Sequence, residues 1–220
     1  MKKKFRIYII SFGLSLLVLS SCKKDLKVDQ TVYFNDFESG DLKNITGGQI
    51  DLFNGTHVLG RYNLGSFNLT IPNLPKHNLV EISFDLYIHD TWDGNTSDNG
   101  YTGPDIWKFL VDGQTYINTT FSNSACPVNQ FCPPQSFPAN YPNNNFNPKT
   151  GAFNTNLPGA CYLANDLHGS TLYKITKSIS HTSSVLQVQC LDSLVQKNVL
   201  DKKCDESWSV DNIKVNVIAL

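Results

Sequence analysis

The 220-residue chain reads as an all-β protein, a two-sheet antiparallel sandwich. Three observations carry this. Short runs of alternating apolar and polar residues recur from residue 31 almost to the C-terminus, the period of strands with one buried face. Gly, Asn and Pro separate the runs, as turns require. Beyond the first 21 residues no stretch repeats apolar side chains at helical spacing. A sheet must bury its apolar face, and with no amphipathic helix on offer the partner is a second sheet.

The elements follow in order. Residues 31–37 form the first expected strand, then 57–62 and 66–71, all β-branched or aromatic and bounded by Gly and Asn. Residues 80–89 are the clearest: Val80, Ile82, Phe84, Leu86 and Ile88 alternate with polar or amphipathic neighbours. Residues 106–111 and 114–120 flank Asp112-Gly113, a pair suited to a type I′ hairpin turn. Strands at 171–180, 184–191 and 207–218 complete the set. Between them, residues 122–168 hold seven of the ten prolines and ten asparagines, a composition that does not support long ladders. A connection this long is either a surface excursion or a ligand-facing lid, and both readings stay open.

The N-terminus has a different character. Lys2, Lys3, Lys4 and Arg6 precede an apolar run from Ile7 to Leu19, and Ser20-Ser21-Cys22 follows. A charged start, a short apolar core and a small-residue cut site make a cleaved secretory signal. The run is shorter than the ~20 residues that span a bilayer, which argues against an anchor helix. Leu19-Ser20-Ser21-Cys22 resembles the lipobox of bacterial lipoproteins. That resemblance implies acylation of Cys22 and a lipid-anchored protein of the bacterial outer membrane, facing periplasm or cell exterior. Residues 1–21 are then the signal peptide, 22–30 a short tether, and 31–219 a single domain.

Past the signal, 14 Lys and Arg stand against 19 Asp and Glu, and Arg61 is the one remaining arginine. A mildly acidic surface with so few basic groups argues against nucleic acid as a partner. Five cysteines remain in an oxidising compartment, so pairing is expected with one left over. The expected pairs are Cys126–Cys132 and Cys190–Cys204, with Cys161 free.

Several acids stand where a core-facing side chain is expected. By strand parity Asp211 lies with Ile213, Val215 and Val217, and Glu38 lies with Val32 and Phe34. A carboxylate facing a core must be paired, protonated or bound to a cation. If the first and last strands pair antiparallel, Glu38 and Asp211 meet, and an all-oxygen site of that kind suits calcium. Otherwise both acids sit at solvated strand ends. Phe37-Glu38 near the start and Asp211-Asn212-Ile213 near the end resemble the jelly-roll sandwiches of the concanavalin-like and laminin-G-like superfamily, which includes MAM domains and calcium-stabilised carbohydrate-binding modules. The resemblance implies a jelly roll over roughly 31–219 with a structural calcium at Glu38 and Asp211. A second acid set, Asp90, Asp93 and Asp105, surrounds Gly94 and is either a further calcium site or turn chemistry.

Trp107 and Trp208 fall in expected strands and read as core. Trp92 falls in a loop and reads as an exposed sugar platform, with Asn95 and Asn99 as hydrogen-bonding partners. The sequence lacks a nucleophile elbow, and its five histidines have no metal-ligand spacing. Catalysis by Glu206 with an Asp remains formally open. The expectation is a non-enzymatic, lipid-anchored binding module for a glycan or a surface protein. The alternatives are an assembly lipoprotein with a protein partner and, more distantly, a glycan-cleaving enzyme.

Overall fold

A computed structural model describes residues 28–219; the signal segment and Cys22 lie outside them. Twelve strands and one short helical turn follow in order: β1 Val28–Asn35, β2 Ile45–Thr46, β3 Ile50–Phe53, β4 Thr56–Tyr62, β5 Ser66–Ile71, β6 Leu79–Asp90, β7 Ile106–Val111, β8 Gln114–Thr120, β9 Asn154–Leu157, β10 Ser170–Ser180, β11 Leu186–Ser193, α1 Lys202–Asp205 and β12 Glu206–Ala219. One antiparallel sheet runs β3-β4-β12-β6-β10-β9, with β1 alongside the far half of β12. The other runs β2-β5-β11-β7-β8. The all-β, two-sheet sandwich is as expected, and β5, β7 and β8 have the expected bounds. Asp112 and Gly113 take φ of 49° and 77°, the two positive values of a type I′ turn. β1 starts at Val28, inside the stretch read as a tether, because Val28 to Gln30 pair with Val217 to Ala219.

The core lies between the sheets. Val80, Ile82, Phe84, Leu86 and Ile88 of β6 are buried, as are Trp107, Phe109 and Val111 of β7. Trp107 meets Trp208 edge-on, with ring centres 6.0 Å apart. Burying side chains of this size contributes about 1.5–3 kcal/mol apiece.

Two strand-parity expectations fail, for a local reason. Along β12, Trp208 and Val210 pair with Ile88 and Leu86, both core residues, and Asp211 pairs with Asp85 on the opposite face. A bulge then adds a residue to β12, with Asn212 at φ 53°, so that Ile213, Val215 and Val217 turn back into the core. Asp211 therefore stands on the outer face of the sheet rather than the core face. At the other end Phe37 takes φ 58°, buries its own ring and leaves Glu38 exposed.

The segment 122–168 is neither free nor featureless. It supplies β9, and fully buried Gln135 ties it together. The Gln135 amide donates to the Phe137 and Thr150 carbonyls, and its oxygen accepts from the Ser122 and Lys149 backbone. Phe137 packs on Phe121 and Tyr173.

Candidate functional site

The end of the sandwich where β6 finishes and β10 begins gathers most of the residues singled out in the sequence. Asp90, the last residue of β6, is buried, and its Oδ1 accepts from the backbone N–H of Cys161 (3.2 Å) and Leu163 (2.9 Å). It thereby fastens the Asn/Pro-rich segment to the sheet. Asn123 does the same from the other side, its amide donating to the carbonyls of Asp90 and Gly169.

Asp105 performs a parallel task. Its Oδ2 accepts from the backbone of Asp93 and, at 3.0 Å, of Gly94, closing the turn after β6. Gly94 has φ 64°, and a Cβ there would fall 2.2 Å from the Pro134 carbonyl, so no other residue fits. Asp90 and Asp105 thus aim at different backbone segments, and among the described residues the two do not gather with Asp93 as metal ligands.

What Asp105 meets is Glu206. Both are completely buried, and each keeps one oxygen (Asp105 Oδ1, Glu206 Oε2) without a hydrogen-bond partner. The Gln196 amide donates to Glu206 Oε1. Burial, then the neighbouring Asp105, pushes the Glu206 carboxyl up to about 10; burial also raises Asp105, with Asp93 and Asp205 adding to the effect. Two backbone N–H groups oppose the rise at Asp105, whereas the Gln196 amide opposes it at Glu206. Enclosed on all sides, this pair does not face a cleft.

Above it lies a shallow hollow of about 280 Å³ lined by residues including Thr91, Asp93, Asp166 and His168. An adjoining hollow of about 610 Å³ shares Leu163, Asp166 and His168 and adds Tyr162, Asn165 and Leu167. Tyr162 is 69% exposed. Its neighbour Cys161 is bonded to Cys204 of α1, so the ring is carried on a pinned loop. Burial, with Asp205 nearby, raises the Asp93 carboxyl.

Trp92, expected to be an exposed platform, is buried: its exposure is 0% and its Nε1–H donates to the Ser207 carbonyl at 2.9 Å. The loop that carries it folds inward because Asp105 holds the turn. Asn95 is committed as well, donating to Asn144 and Asn145 and accepting from Ser136 and Thr120. Asn99 is exposed in a turn at φ 44° and lines neither hollow. Cys126–Cys132 is formed, but Cys204 pairs with Cys161 and not with Cys190. Cys190 is in the core because it shares parity with Leu186 and Val188 on β11, a pattern already visible in the sequence.

Glu38 accepts from Thr56 Oγ1 and the His57 N–H, and its Oε2 lies 3.3 Å from His57 Nδ1. Asp211 is nearly buried; burial, then Asp85, Glu38 and Asp36, push its carboxyl up to about 6. The Glu38 carboxylate is thus one of the charges that raise Asp211. Among the described residues, however, no three His, Cys, Asp or Glu side chains gather to hold a metal. A cation between Glu38 and Asp211 would therefore depend on backbone carbonyls for its remaining oxygens.

A further groove of about 350 Å³, between β8 and β10, is lined by Tyr116, Phe137, Lys174 and Lys177 among others. Lys174 is committed there, 3.8 Å from Asp85 and over the Phe153 ring.

No protein-family model and no curated protein matches the chain. Among solved structures it is similar to part of dimeric latent PorU from Porphyromonas gingivalis, at 10% identity and a TM-score of 0.44, over 87% of this chain and 13% of that one. It is similar to the C-terminal CBM6 of LamC, a marine laminarinase from Zobellia galactanivorans (9% identity, TM-score 0.36, 86% of this chain and 98% of that one). It is also similar to the CBM22-2 xylan-binding domain of Xyn10C from Paenibacillus barcinonensis (12% identity, TM-score 0.36, 84% and 99%). The chain thus spans a small part of PorU and nearly all of the two modules, and nothing about a ligand passes from them to it.

Proposed function

We propose that this chain is a lipid-anchored cell-envelope module of the bacterial outer membrane that binds a glycan in the hollow at the Tyr162 end, with a structural calcium between Glu38 and Asp211. One observation carries the glycan reading. Tyr162 presents an exposed ring on a disulfide-pinned loop in the same hollow as the Asp166 carboxylate and the Asn165 amide. A flat apolar ring next to fixed acceptors and donors matches a sugar, which has one apolar face and a rim of hydroxyls. The buried Asp105–Glu206 pair holds this end rigid and does not act on substrate.

A glycan array probed with the full chain tests the reading. Tyr162→Ala is expected to weaken binding by about 0.5–1.5 kcal/mol or more without unfolding, while Tyr116→Ala in the β8–β10 groove leaves it unchanged. The opposite pattern moves the site to that groove. No glycan bound by a folded chain, with a protein retained through the same face, makes it an assembly component. The lipid anchor rests on Cys22, so Cys22→Ser is expected to lose fatty-acid label and membrane attachment; a mutant that keeps both refutes it.

A further inference from the structure

The two adjoining hollows at the Tyr162 end are lined by acids. Asp90 and Asp93 line the smaller, and Asp166 lines both. Among the described residues no Lys or Arg lines either one. Asp166 is on the surface, Asp93 is half-buried and Asp90 is fully buried. Lys149, whose Nζ donates to the His168 carbonyl at 2.8 Å, stands close by but is not part of the lining. His168 does line both, and its Nδ1 lies 3.0 Å from the Thr155 carbonyl.

The fold does not use up these acceptors. Asp90 Oδ1 accepts from the N–H groups of Cys161 and Leu163, but its Oδ2 is buried with no hydrogen-bond partner. Asp166 Oδ1 accepts from the His168 N–H at 2.8 Å. Neither carboxylate oxygen of Asp93 has a hydrogen bond among the described residues. Asp205, close enough to raise the Asp93 carboxyl, accepts from Thr91 Oγ1 at 2.8 Å. A buried acceptor without a donor, and acids crowded together without a cation, cost free energy that a cationic ligand would recover.

We propose that these hollows select glycans carrying a free, protonated amino group, a specificity that rests on the glycan reading above. An ammonium group on a sugar ring donates hydrogens and accepts none, and an ionised carboxylate only accepts. Beside an exposed aromatic ring the same group gains cation–π attraction, so Tyr162 favours it as well. A hydroxyl or an N-acetyl group at that position still donates but brings no charge, and binds these acids more weakly. A uronate or a sulfate would set negative charge against Asp93 and Asp166 with no basic side chain in the lining to offset it, and is rejected.

The test compares binding of the full chain to oligosaccharides of one linkage and length built from glucosamine, N-acetylglucosamine, glucose and glucuronate. It is run at about pH 6, where an amine of this kind is protonated. The glucosamine oligomer is expected to bind about tenfold tighter than the glucose oligomer, the glucuronate oligomer not at all, and added salt to narrow the gap. Asp93→Asn and Asp166→Asn are expected to remove most of the preference, whereas Asp29→Asn, on β1 at the other end of the sandwich, keeps it. A preference that falls equally with Asp29→Asn is general attraction to an acidic chain and overturns the proposal. So does a glucose, N-acetylglucosamine or glucuronate oligomer that binds as tightly as glucosamine, and the glycan reading then stands. Should Asp93→Asn fail to fold, the surface variant Asp166→Asn decides, and an unchanged preference refutes the site. If no oligomer of the set binds a folded chain, the amine specificity falls, and the glycan reading falls with it only if the wider array is also silent.

Discussion

Glu206 and His89 show how single residues tie this fold to pH. His89 is fully buried between Ser170 Oγ (2.9 Å) and Ser209 Oγ (2.8 Å), and burial pushes it down to about 3. Its folded value lies below its ordinary 6.5, so the stability it contributes is present above that value and lost as pH falls toward 3. Glu206 runs the other way. Raised from 4.5 to about 10, it contributes stability below 4.5 that is lost as pH rises toward 10. The two effects oppose each other between 4.5 and 6.5, where the raised Asp211, Asp93 and Asp105 add to the loss with rising pH, so stability is expected to decline as pH rises above 6.5. Glu206→Gln keeps the shape of the neutral side chain. It is expected to be at least about 2 kcal/mol more stable than the parent at pH 9, relative to their difference at pH 5. Denaturant unfolding at both pH values measures this; equal alkaline loss in both proteins shows that Glu206 is not held protonated.

Among the elements, β12 and the Asn/Pro-rich segment matter most to the candidate site. β12 carries Trp208 into the core, Glu206 into the buried pair and, by strand alternation, Asp211 onto the outer face, and the one-residue bulge at Asn212 then returns Ile213 to the core. The segment's attachments to β6 and α1 run through Asp90, Asn123 and Cys161–Cys204. That disulfide closes a stretch of 43 residues in sequence, and constraining such a loop in the unfolded chain contributes about 4 kcal/mol in the chain-entropy view. Cys161→Ser is expected to lower stability by about 2–4 kcal/mol and to weaken any ligand bound beside Tyr162. Thermal melts of the variant and of the reduced parent check the first part. A melt unchanged from the oxidised parent shows that the buried Asp90 and Asn123 contacts hold the segment unaided.

For the molecule as a whole, calcium is the sharpest test. A cation between Glu38 and Asp211 would offset the burial and the neighbouring carboxylates that hold Asp211 high and tie the segment after β1 to β12. Ligand at a hundredfold excess over Kd adds about 2.7 kcal/mol to folding, so calcium is expected to raise Tm and Asp211→Asn to remove the rise. A chelator that leaves the melt unmoved removes calcium from the reading. The sequence by itself determined the sandwich. Alternation over residues 80–89, the Asp112-Gly113 turn and the short runs around them are local signals, because a strand's faces follow from a period of two. The same alternation places Cys190 in the core. Only the tertiary structure decided which acids meet and which rings stay exposed. Parity fails across a bulge, and so misplaced Asp211. A loop's direction depends on distant hydrogen-bond acceptors, and so Trp92 turned inward while Tyr162 remained outside. The hydrogen bond between His77 and His181 across 104 residues is of the same kind. Strand geometry is written in neighbouring residues, whereas such meetings are set by how the connections close over a finished core.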